Sequence, residues 1–237
     1  MRLLRSVYSN AEPNTYGKGS WGYTVLRTVY TDESDTLFPL AMERLKLWVV
    51  QYYVHRTRFP LWGDRGVRDF IRMKDASVNE ELGRRFRIES LEDKEALNKP
   101  RLENASHDDV KSLCEYFKKW VISVGGRPEA HEWNPRLYDF LVIDEPCMRV
   151  LAALPLRTAP LRVPVDFLEK SEWLRESDMA YVWLIDWRAV ERWSGEKGSE
   201  YMEDEIHRGW TTHQAIFIAD TWFQRAKYMD MEDWIIG

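Results

Sequence analysis

The sequence predicts an α+β fold, an open antiparallel or mixed sheet with helices packed on one face, for which a ferredoxin-like arrangement fits best. Three observations carry this. Runs rich in β-branched and aromatic residues recur at 21–30, 138–143 and 180–186. Between them stand segments with apolar residues at helical spacing. The links are long and irregular, and no glycine-rich turn follows a strand, which argues against a doubly wound parallel sheet.

Residues 1–20 hold Asn10, Pro13, Asn14, Gly17 and Gly19 and read as a flexible lead-in. WGYTVLRTVY at 21–30 reads as a strand. Ser34 and Asp35 read as the cap and first turn of a helix over 35–54. Its apolar face is Leu37, Leu40, Ala41, Leu45, Trp48, Val49 and Tyr52. Residues 55–78 read as a basic loop and 85–91 as a short strand. Ser106, with Asp109 three positions on, caps the next helix. Val110, Leu113, Cys114, Phe117, Trp120 and Val121 form its apolar face, and Gly125-Gly126 ends it. The strand YDFLVI leads to a short helix at 147–154. Residues 155–165, with three prolines, form a connector. The strand AYVWLID leads to a helix near 187–194, and residues 214–223 fit either strand or helix.

With 237 residues, 44% of them hydrophobic and twelve tryptophans, the chain has material for one large core, here placed over 21–237. A net charge of −5 excludes a protein that coats nucleic acid by charge alone. The charge is uneven, however. Residues 55–87 hold nine Lys/Arg against five Asp/Glu, and residues 196–237 hold four against nine. Cys114 falls within a helical pattern and Cys147 follows a strand; neither has zinc spacing, and both read as buried thiols in a reducing, cytoplasmic setting. MRLLRSVYSN lacks the apolar stretch of a signal peptide, and no run of about eighteen apolar residues exists, so no membrane partner is expected.

No P-loop, G-x-S-x-G, H-E-x-x-H or dinucleotide fingerprint occurs, which removes the usual support for the common hydrolase, kinase and dehydrogenase classes. His107-Asp108-Asp109 imitates part of a two-histidine, one-carboxylate metal site, but it opens a helix, where acids cap backbone N–H groups. Glu203 and His207, with His213, read as a solvated helix face rather than ligands. No metal is expected. Asp144-Glu145 ends an apolar strand and precedes Pro146. The pair fits a cation-binding or general-base role, and equally a helix cap. Arg27 is a charged residue in an apolar strand and must face solvent, a cleft or a partner carboxylate; with Tyr30 it is a pocket candidate. Arg56, Arg58, Arg65, Arg68, Arg72 and Lys74 alternate with Phe59, Trp62 and Phe70. That pattern suits a phosphate backbone with stacked bases, or a solvated loop whose aromatics are tucked inward.

Three stretches together carry a resemblance: WGYTVLRTVYTDESD at 21–35, ESLEDKEALNKPRLENASHDDVKSLCEYFKKWV at 89–121 and PRLYDFLVIDEP at 135–146. Their order and spacing resemble a family of small hypothetical proteins common in ascomycete genomes. The likeness covers 21–146, and the chain diverges from about residue 155. Some fungal proteins of this kind are arginine-containing cyclodipeptide synthases, to which this chain is similar. That resemblance implies an aminoacyltransferase of fungal secondary metabolism that takes arginine from arginyl-tRNA, couples it to a second amino acid and closes a diketopiperazine. It further implies aminoacyl-tRNA as partner, no DNA and no cofactor. On this reading Asp144, Glu145, Tyr30 and Arg27 are the catalytic candidates. Asp32, Glu33, Asp35 and Trp183 would hold substrate, and the six basic residues of 56–74 would hold tRNA. Two other classes stay open: a non-catalytic ligand- or peptide-binding protein, and a cofactor-free cyclase or isomerase.

Overall fold

The computed structural model describes residues 20–58, 76–99, 101–126, 134–156, 180–193 and 209–225. The expected lead-in at 1–19, the basic stretch at 59–75 and most of the proline connector lie outside these residues, as do Glu203 and His207.

β1 (Trp21–Arg27) is buried along its whole length, as a strand covered on both faces must be. Gly22 is required there. Its φ is +128°, and a Cβ would stand 1.9 Å from the Arg87 carbonyl oxygen on the neighbouring strand. The strand stops at Arg27, three residues earlier than the sequence suggests. The Arg27 guanidinium Nε donates to the Val29 carbonyl, and the Tyr30 hydroxyl donates to the Arg27 carbonyl, which folds 28–30 into a turn.

α1 (Asp32–Arg58) begins one turn earlier than expected. Thr31 is its cap and Ser34 the reciprocal partner, each backbone N–H donating to the other's hydroxyl. Phe38, Ala41, Leu45, Trp48 and Val49 form the buried stripe, whereas Leu40, expected inside, is 38% exposed. α2 (Ala76–Arg85) was not anticipated; it feeds β2 (Phe86–Glu92) directly. After the single turn α3 (Lys94–Leu97) comes α4 (His107–Ser123), which carries the full capping box between Ser106 and Asp109. Asp109 is held down at about 2 by hydrogen bonds from Lys99 and Ser106. α4 ends as expected at Gly125, at φ +84°. A 3-10 turn at Pro135–Leu137 leads into β3 (Asp139–Ile143), α5 (Glu145–Ala153), β4 (Tyr181–Asp186) and α6 (Trp187–Trp193). β5 (Trp210–Gln214), a 3-10 turn at Ala215–Phe217 and α7 (Ile218–Arg225) complete the described chain and resolve the ambiguous 214–223 segment as mostly helical.

The α+β class and the open mixed sheet are as predicted. The strand order is β2-β1-β3-β4-β5, with β1 parallel to both β2 and β3, and β4 and β5 antiparallel. A ferredoxin-like sheet has antiparallel neighbours throughout, so this arrangement differs from it. The parallel trio β2-β1-β3 is instead the order found at the turning point of doubly wound sheets, where the first crossover goes one way and the second the other. The helices accordingly cover both faces rather than one. Consecutive residues of a strand point to opposite sides. Asp139 binds Arg225 of α7, while Phe140 stacks on Phe117 of α4 with ring centroids 4.5 Å apart. α1 packs with α5 and with α7 and the turn before it, and α4 packs with α6. Cys114 and Cys147 are both free and buried, as expected.

Candidate functional site

β1 and β3 end side by side, β1 leading toward β2 on one side and β3 toward β4 on the other, while the helices that follow them, α1 and α5, pack against each other. In open α/β sheets ligands bind beyond the carboxyl ends of the strands. The topology therefore collects here most of the candidates chosen from sequence. Arg27 closes β1, and Thr31 to Asp35 form the start of α1. Asp144 and Glu145 follow β3, and Trp183 lies opposite Val142 on β4.

Arg27 is 6% exposed and fully engaged. Its guanidinium donates to Glu92 at 3.0 Å, to the Ser34 hydroxyl at 3.0 Å and to Asp35, and it lies over the Tyr30 and Phe38 rings. The Tyr30 hydroxyl accepts from the Asp93 backbone N–H at 2.7 Å while donating to the Arg27 carbonyl at 2.8 Å. Burial pushes this phenol up to about 12, so it keeps its proton at neutral pH. Asp32 is exposed in the first turn of α1, whose N-terminal dipole it complements.

Asp144 is 1% exposed and caps α5. One carboxylate oxygen accepts from the Cys147 N–H at 3.1 Å. The other accepts from the Leu102 N–H at 3.0 Å and from the Trp183 indole at 2.9 Å. Trp183 thus holds Asp144 rather than an open wall. Glu145 is half-buried; it accepts from Arg149 at 3.0 Å, and Arg149 also grips Glu33 through both terminal nitrogens. Four carboxylates of this rim, Glu33, Asp35, Glu92 and Glu145, therefore hold two guanidinium groups. The segment after α3 covers the crevice itself. The Lys99 N–H binds the Thr28 carbonyl at 2.9 Å, Leu102 binds Asp144, and Leu97 and Leu102 are wholly buried.

Of the basic candidates, Arg56 and Arg58 lie in the last turn of α1, and Arg65, Arg68, Arg72 and Lys74 lie outside the described residues. His107 opens α4 and contacts the Val190 carbonyl at 3.2 Å, and His213 pairs with the Thr221 hydroxyl. Among the described residues no group of three His, Cys, Asp or Glu side chains is placed to share a metal ion. Nor is any described helix long and apolar enough to cross a membrane.

Sequence reasoning missed a second polar centre. Asp139 and Asp186 face each other across the β3–β4 ladder, both wholly buried. Arg225 of α7, 2% exposed, donates to both, at 2.6 Å each through Nη2 and to Asp139 also through Nε. Arg188 flanks the pair, its Nε 3.5 Å from Asp186 and its guanidinium 3.7 Å over the Tyr138 ring. Burial pushes the Asp139 carboxyl up to about 7 despite Arg225, and the like charge of Asp186 adds to the effect. For Asp186 burial acts the same way, but Arg225 and Arg188 outweigh it and hold the carboxyl below its ordinary value. The signal was present: an aspartate at the start of DFLVI and another at the end of YVWLID, each in a strand too apolar to leave it unpaired.

No protein-family model matches the chain, and no curated protein or solved structure is significantly similar to it.

Proposed function

We propose that the chain is a tRNA-dependent cyclodipeptide synthase of the cytoplasm, joining arginine from arginyl-tRNA to a second amino acid and closing a diketopiperazine. The observation that carries the reading is the carboxylate rim beside the parallel strand ends, where Glu33, Asp35, Glu92 and Glu145 already hold Arg27 and Arg149. Carboxylates grip guanidinium bidentately, the geometry an arginyl substrate needs. The Glu33–Arg149 pair is about half exposed on both sides, and such pairs contribute little net stability, so an incoming guanidinium can exchange with Arg149 at small cost. In the reaction the amine of the second aminoacyl group attacks the arginyl ester carbonyl. The C–N bond forms, the ester C–O bond breaks, and the tRNA hydroxyl leaves with the proton. Repeating the step within the dipeptidyl ester closes the ring. Activated esters need only positioning and proton transfer. Arg56 and Arg58, with the basic residues that follow, supply the phosphate-binding charge.

The non-catalytic binding reading also has an observation in its favour. Arg27, Tyr30 and Asp144 are engaged by protein partners, and Leu97 and Leu102 are wholly buried beside the crevice. One assay separates the two. The protein is incubated with tRNA, arginine, the other amino acids, ATP and aminoacyl-tRNA synthetases, and products are read by mass spectrometry. An arginine-containing diketopiperazine that disappears with ribonuclease, and falls when Glu33→Gln and Glu145→Gln are combined, is the expected result. No arginine-dependent product, together with a tRNA gel shift unchanged in affinity and salt slope by Arg56→Ala, Arg58→Ala, Arg65→Ala and Arg68→Ala combined, overturns the synthase reading.

A further inference from the structure

We infer that the interface between α7 and β1 contains an internal binding site for a neutral, water-sized hydrogen-bond acceptor, held by Tyr23, Trp222 and Arg225. The Tyr23 hydroxyl, the Trp222 indole N–H and Arg225 Nη1 are inaccessible to solvent and have no hydrogen-bond partner among the described residues. The three side chains are 0%, 1% and 2% exposed.

Their placement brings them to one layer. Trp222 and Arg225 stand three residues apart on α7 and share a face. Trp21 and Tyr23 stand two apart on β1 and share a face, and the Trp21 and Trp222 ring centroids are 6.1 Å apart. Tyr23 lies one residue before Thr24, which pairs with Phe140, so it neighbours Asp139 and through it Arg225. Burial, and then the charge of Asp139, raises the Tyr23 phenol well above its ordinary value, while Arg225 opposes them, which sets Tyr23, Asp139 and Arg225 within electrostatic reach of one another; Trp222 joins them through its place on α7 and its contact with Trp21.

The chemistry selects the ligand. Indole and guanidinium only donate, so the occupant must accept. Arg225 and Arg188 already face Asp139 and Asp186, and an anion would sit beside those two acidic groups. A water can accept from Trp222 and Arg225 and donate to Tyr23. Three bonds are the usual number for a buried water.

The test reads the sign of a deletion. A buried hydroxyl without a partner is neutral or harmful, so Tyr23→Phe would then melt at or above the wild-type temperature. A hydroxyl bound to a site water is useful, and Tyr23→Phe should melt roughly 3–8 °C lower. A high-resolution crystal structure of the wild type should show density within hydrogen-bond distance of Tyr23 Oη, Trp222 Nε1 and Arg225 Nη1. A crystal soaked in bromide should show no anomalous peak there. An unchanged or raised melting temperature, absent density or a bromide peak each overturns the inference. Should Tyr23→Phe fail to fold, the wild-type crystals decide alone.

Discussion

The Asp144 side chain makes a sharp prediction about an isosteric change. For an ordinary helix cap, asparagine replaces aspartate with little loss. Here both carboxylate oxygens accept, one from Cys147 and the other from Leu102 and Trp183. In Asp144→Asn the amide oxygen can keep Leu102 and Trp183, but the NH2 group then faces the Cys147 N–H. Turned the other way, it keeps Cys147 and sets NH2 against two donors. At least one buried N–H loses its partner, and a hydrogen bond to a charged acceptor is lost. Together these cost about 2–4 kcal/mol. For a chain of this size the melting temperature should drop by roughly 5–15 °C. Thermal and urea unfolding of wild type, Asp144→Asn and Glu145→Gln on matched preparations would measure it. Glu145→Gln touches only partly exposed ion pairs, with Arg149 and Arg101, and should stay within about 1 kcal/mol. An Asp144→Asn protein within about 0.5 kcal/mol of wild type would refute the three-donor reasoning.

Gly22→Ala should be among the most damaging single changes, costing more than about 3 kcal/mol, because the new methyl meets the Arg87 carbonyl and φ is positive; loss of soluble folded protein by circular dichroism checks it. Asp139 predicts a pH dependence. Its carboxyl titrates at about 7 when folded and at 3.8 in its ordinary state, so the native state holds the extra proton between those values. Its contribution to stability is whole below pH 3.8 and is lost as pH rises through 7. The stability difference between wild type and Asp139→Asn, measured by urea unfolding from pH 4 to 8, should therefore move against wild type as pH rises.

What could be read from the sequence was what is decided locally. The Ser106–Asp109 box, the glycine stop at Gly125 and the apolar runs of β1, β3 and β4 involve neighbours along the chain, and each was found. Thr31 rather than Ser34 caps α1 because the two hydroxyls serve each other's N–H, a reciprocity that a one-sided cap signal does not show. α2 hid inside a charged segment, and β5 carries Thr211, Thr212 and His213, polar residues suited to an edge strand with little apolar pattern. The candidate rim was legible as residue types at strand ends. Its engagement was not, because Arg27 meets Glu92 and Asp144 meets Leu102 only through the tertiary fold. Arg225, Asp139 and Asp186 were passed over for the same reason: each looks ordinary alone, and only the β3–β4 register and the placement of α7 join them.

The parallel pairing of β1 has a consequence for how the chain is made. β1 leaves the ribosome first, yet its two neighbours begin at Phe86 and Asp139. At ordinary synthesis rates the third strand follows the first by roughly 6–24 s. Until β2 emerges, WGYTVLR, apolar and with unsatisfied backbone groups along both edges, has no native ladder to join, and its second edge stays open until β3 follows. Nascent chains should thus engage chaperones early and release them only after β3 has been translated. Ribosome-bound chains stalled before and after residue 143 would differ sharply in protease resistance.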